Sequence, residues 1–118
     1  MSTCGFGGKG WYIKIAIMSL LSCGSSYGYE LIERLEGVGI RLDEGSTGTL
    51  YKTLRELEKE EYLCSIWKKS HLGPRRRKYS ITEKGKEEIR KEVKRLKEIK
   101  GFIDEIIKNC KEVNKGVF

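Results

Sequence analysis

The chain has 118 residues, 38% hydrophobic and 35% charged, which suits one domain around a modest core and leaves too little for a second. Its net charge of +7 favours an anionic partner, nucleic acid or an anionic membrane surface. No run reaches the roughly 18 apolar residues of a membrane span, and one histidine with four cysteines lacking a C-x-x-C pair excludes zinc-type spacing.

The cysteines, Cys4, Cys23, Cys64 and Cys110, are widely scattered, which favours buried structural thiols in a reducing compartment over a disulfide framework. Nothing gathers the acid, base and nucleophile that an enzyme needs, so neither catalysis nor a cofactor or metal is expected.

Residues 1–10 are glycine-rich and read as a flexible arm. Gly5 to Gly10 formally match G-x-G-x-x-G, but no strand precedes them and no βαβ unit surrounds them, so the nucleotide reading fails on context. Trp11 to Ser22 is apolar nearly all round, as for a helix buried in a small fold. Ile13 to Cys23 imitates the core of a signal peptide, but Lys14 interrupts it and upstream charge is sparse. A buried first helix and a cytoplasmic protein are expected.

Gly24-Ser25-Ser26 breaks this helix, and either serine suits the cap of a second one. That helix runs to about Glu36 with Leu31, Ile32 and Leu35 inward, and Gly37 stops it. The alternation of Val38, Ile40 and Leu42 predicts a short strand. A third helix follows from about Thr47 to Glu61, with Leu50, Leu54 and Leu57 inward and Gly48, Lys52, Arg55, Glu56 and Lys59 outward.

Tyr62 to Trp67 and Arg77 to Thr82 read as a hairpin, with Ser70 to Pro74 as its loop. Tyr79 and Ile81 point to the core side, and Arg76, Lys78 and Ser80 to the other. From Thr82 onward a long polar helix carries an apolar stripe of Ile89, Val93, Leu96, Ile99, Ile103, Ile106, Cys110 and Val113. So little domain remains to cover that stripe that a partner helix is expected. Gly101 lies inside it, where a bend or break is plausible.

The expected fold is mostly α with a small antiparallel β-wing: a winged helix-turn-helix over residues 11–82, then a C-terminal dimerisation helix and tail over 83–118. In that layout the third helix enters the major groove and the hairpin lies along the backbone or minor groove. Arg75, Arg76, Arg77 and Lys78 then stand at the base of the wing, where arginine forks suit phosphate. His71 is read as a wing-tip residue. Lys52 and Arg55 either contact DNA or merely solubilise the helix, through pairs such as Lys52 with Glu56. Gly48 lets backbone N–H groups approach phosphate. Tyr51 stays open between packing and phosphate contact, and Trp11 and Trp67 are read as packing residues. The rival reading is a winged helix used only for protein interaction.

The sequence also resembles the PadR-type transcriptional regulators. The matching pieces are Tyr27-Gly28-Tyr29-Glu30-Leu31, Gly48-Thr49-Leu50-Tyr51, Leu54-x-x-Leu57-Glu58, and Gly73-Pro74 with Arg77 to Gly85, over roughly residues 11–90. The resemblance implies a homodimeric repressor of double-stranded DNA whose terminal helices pair. It also implies that Ser46, Thr47, Gly48, Thr49, Tyr51 and Lys52 meet DNA at the head of the third helix. Thr47 stands where the family commonly has proline, and threonine also caps well. Drug-sensing members stack flat ligands on a tryptophan of the last helix. Here residues 83–113 offer Phe102 as their aromatic, so a small-molecule effector finds no support in the sequence.

Overall fold

A computed structural model describes residues 9–40, 47–70 and 73–111. In chain order it contains α1 (Lys9–Ser22), β1 (Ser26–Tyr27), α2 (Gly28–Gly37), α3 (Thr47–Lys59), β2 (Leu63–Ser70), β3 (Gly73–Ile81) and α4 (Glu83–Cys110). The expected arm is shorter at its helical end, because α1 begins at Lys9; residues 1–8, with Cys4, lie outside the described part.

Helix α1 is buried on more than one side, through Ile13, Ile15, Ile17, Met18 and Leu21. Around it close Leu31 and Leu35 of α2, Leu50, Leu54 and Leu57 of α3, Leu63 of β2 and Tyr79 of β3. The three α3 leucines are inward as their spacing predicts.

The start and end of α2 differ from expectation. Ser26 does not cap it but joins Tyr27 in a third strand, paired antiparallel with Tyr79 and Lys78. The sheet order is β1-β3-β2. Glu30 closes the helix start instead, accepting from the Tyr27 N–H at 2.9 Å and the Ser26 hydroxyl at 3.2 Å. At the other end Gly37 is still helical, and Gly39 is the left-handed residue with φ of 93°. Its N–H donates to Glu36 O and that of Ile40 to Leu35 O, the paired bonds that end a helix at such a glycine. Val38 therefore belongs to the turn rather than to a strand, and Arg41 to Ser46 lie outside the described residues.

The hairpin is longer than expected. Leu63 faces Ile81 at its base and Ser70 faces Gly73 at its outer end, so Gly73 and Pro74 are strand residues and Arg75 to Arg77 stand in the outer half, not at the base.

Helix α4, with 28 residues, spans about 42 Å. Thr82 caps it by accepting from the Gly85 N–H at 3.0 Å. The helix runs through Gly101 without a break. Its inward face is offset from the expected stripe: Glu92 is buried, 7% exposed, whereas Val93 is exposed. The cause is Trp11 of α1, whose indole N–H donates to the Glu92 carboxylate at 3.1 Å while its ring lies beneath Arg95. Two cysteines also differ from expectation, since Cys23 and Cys64 are exposed. Both stand at edges of the fold, after α1 and on the outer face of β2.

Candidate nucleic-acid interface

Helix α3 presents Gly48, Thr49, Lys52, Arg55, Glu56 and Lys59 to solvent. The expected pair of Lys52 with Glu56 does not form; Glu56 lies 3.9 Å from Lys14 of α1 instead. Thr47 opens the helix, and Ser46 and His71 lie outside the described residues. Tyr51 packs: its ring lies against Gly28, where an added Cβ would come within 2.6 Å of it. The absent side chain in Tyr27-Gly28-Tyr29 is thus what lets α2 and α3 approach.

On the wing Lys68 stands opposite Arg76, and Ile66 opposite Lys78. Like charges directly across a ladder repel, so this face favours an anion. Arg76 lies over the Tyr29 ring at 4.9 Å and Lys78 over the Tyr27 ring at 5.4 Å. The two rings stack on each other with centroids 5.7 Å apart. Cations held over aromatic faces lose less freedom when they bind.

Arg77 faces the other way, beside Tyr79. It bonds to Glu58 of α3 at 3.3 Å, and Glu58 also accepts from Ser65 at 2.6 Å. Glu58 therefore ties both wing strands to the third helix. Trp67, read from the sequence as a packing residue, is 58% exposed and lies beneath Arg77 at 5.3 Å. An exposed tryptophan survives there because the guanidinium covers one of its faces. Burial raises the Tyr79 hydroxyl above its ordinary pKa, with Arg77 pulling it back and Glu58 adding to the rise, so it stays protonated.

These groups meet at one pocket of about 270 Å³, lined by Tyr27, Gly28, Tyr29, Tyr51, Arg55, Trp67, Arg76, Arg77 and Tyr79. It joins α3 to the wing. Sequence reasoning reached its arginines but missed Tyr27, Tyr29 and Trp67; the two tyrosines flanking Gly28 were the available signal.

Along α4, Ile89 packs on the core, Leu96 and Cys110 are half-buried and Ile99 is buried. Val93, Phe102, Ile103, Ile106 and Ile107 are exposed. Among the described residues no helix is long and apolar enough to cross a membrane, and no group of three or more His, Cys, Asp or Glu is placed to hold a metal ion.

The model of the Transcriptional regulator PadR-like family matches residues 17–91. The chain belongs to the PadR-like family. This is a family of transcriptional regulators, not enzymes. A PadR-like transcription factor from Bacteroides fragilis is 28% identical with a TM-score of 0.70, over 83% of this chain and 92% of that one. A PadR family regulator from Clostridium difficile R20291 is 27% identical with a TM-score of 0.71, over 81% and 98%. Bacillus subtilis PadR, solved in complex with operator DNA, shares the fold at 21% identity and a TM-score of 0.62. The match covers 70% of this chain and 47% of that one. No curated protein matches the chain.

Proposed function

We propose that this PadR-like chain is a sequence-specific double-stranded DNA-binding regulator that represses as a homodimer. Helix α3 lies in the major groove, and the wing follows the backbone or minor groove. The DNA-binding unit is residues 11–82 and the dimerisation helix and tail are 83–118. The observation that carries this reading is the shared pocket, at which Arg55 of the third helix and Arg76 and Arg77 of the wing border one basic, aromatic-lined surface. A helix alone or a wing alone would be a solvated charge run. Cations from both around one concavity suit a duplex lying across them. The operator complex of Bacillus subtilis PadR supports the same use of the shared fold. The exposed apolar residues of α4 supply the surface on which two copies would meet.

The experiment is selection from a random duplex pool by purified full-length protein, followed by affinities at several salt concentrations. One enriched, two-fold-related motif is expected. If the dimer touches roughly six to ten phosphates, affinity should fall about 10³- to 10⁵-fold between 50 and 200 mM salt. No enriched motif, or binding indifferent to salt, would favour the protein-interaction reading.

A further inference from the structure

We infer that the pocket between α2, α3 and the wing is a seat for one phosphate group, which in the working complex belongs to the DNA backbone. The inference rests on the DNA-binding reading above and adds to it a site with aromatic walls. Three guanidinium groups line the pocket and, among the described residues, no carboxylate does. Glu58, in contact with Arg77, offsets one of those charges, and no ion pair among the described residues offsets the other two. The Arg77 Nε is buried without a hydrogen-bond partner among the described residues, and buried donors are rarely left unpaired.

The aromatic rings decide how the cations are presented. Arg76 lies over Tyr29, and Arg77 over Trp67. A guanidinium stacked by its face keeps its N–H edge for hydrogen bonds, and that fork matches two phosphate oxygens. Tyr29 and Trp67 are thus positioning residues of the seat. The Tyr51 ring forms part of the lining, seated against Gly28 where the absent side chain leaves room for it. The source of the phosphate follows from location: one wall belongs to the third helix and another to the wing strand, so a duplex lying across both runs over the pocket mouth.

Methylphosphonate substitution removes one backbone charge at a time, and scanning it through the selected duplex tests the seat. One position in each half-site should weaken wild-type binding about tenfold, as for loss of one charge-assisted bond. In Arg76→Met and Arg55→Met the same substitution should have much less effect, because its partner is gone. An undiminished loss in both variants, or no responsive position while salt-dependent binding persists, would overturn the seat and leave the DNA reading standing.

A second readout needs no DNA. Inorganic phosphate titrated into the free protein should shift the Trp67 indole N–H and Gly28 amide signals, and should not do so in Arg76→Met. Signals that stay in place would count against the seat. Tight binding of pyrophosphate that excludes duplex DNA would assign the seat to a free phosphorylated molecule and overturn the backbone assignment. If wild-type protein binds no duplex at low salt, the DNA reading and the backbone assignment fail together, and the phosphate titration then decides whether the pocket is an anion seat at all.

Discussion

Gly85 and Gly101 share one helix but differ in what surrounds them. A Cβ at Gly85 would run into the carbonyl oxygen of Tyr62 and come within 2.7 Å of Ile81, whereas nothing among the described residues lies within 4 Å of one at Gly101. The Tyr62 oxygen is backbone and cannot swing aside. Gly85→Ala should therefore lose about 1–3 kcal/mol, the range for overpacking, while Gly101→Ala should gain about 1 kcal/mol. Urea unfolding of both variants checks the opposite signs. Glu61 has the reverse problem. It ends α3 in the left-handed region with φ of 68°, and the Tyr62 N–H donates to Leu57 O while that of Glu61 donates to Glu58 O. That is glycine's place. Its ion pair with Lys84, 3.7 Å between exposed side chains, contributes little. Glu61→Gly should add about 1 kcal/mol of stability and so raise the urea midpoint, and a lower midpoint would show that the Lys84 pair matters more.

Two elements divide the proposed work of DNA recognition between them. Lys52 projects from α3 opposite Leu50, Leu54 and Leu57, and no ion pair occupies it among the described contacts. On a helix in the major groove it faces base edges, which there carry a distinct pattern for each pair. Lys78 sits on β3 over Tyr27 and reaches backbone or the minor groove, where little sequence is encoded. Lys52→Ala should cost about 1–3 kcal/mol on the selected operator and less on random duplex. Lys78→Ala should weaken both about equally. Paired affinities at one salt concentration decide the matter. If Lys78→Ala collapses the operator-to-random ratio and Lys52→Ala does not, the wing is the reader and α3 is not.

For the molecule as a whole, α4 carries more apolar surface than its own chain covers. Ile103 and Ile106 are 48% and 59% exposed, so their replacement removes little from the protomer's core. The double variant Ile103→Glu with Ile106→Glu should keep its helical circular dichroism yet run as a monomer in light scattering. Its operator affinity should fall as well, because two half-sites no longer act through one linked molecule. A persistent dimer would place the interface elsewhere, on α1 or on the first turns of α4.

Much of this architecture was legible because it is local. The spacing of Leu50, Leu54 and Leu57, the alternation around Tyr79 and Ile81, and the long charged helix after Thr82 each depend on residues within a turn or two. Periodicity registers such neighbours directly. The remainder depends on partners far along the chain. Ser26 and Tyr27 make a strand too short to show a period, and it exists because Tyr79 and Lys78 lie alongside. Glu92 displaces Val93 from the buried face because Trp11, 81 residues earlier, donates to it. Arg77 is turned inward by Glu58, and Arg76 and Lys78 are shelved on Tyr29 and Tyr27. The sequence alone thus determined where the helices lie, apart from their ends, which residues are inward on α3 and where the positive charge lies. Which cations are held, by which rings and around which pocket was decided by tertiary structure, since a hydrogen bond or stacking contact depends on distance in space and leaves no period in the chain.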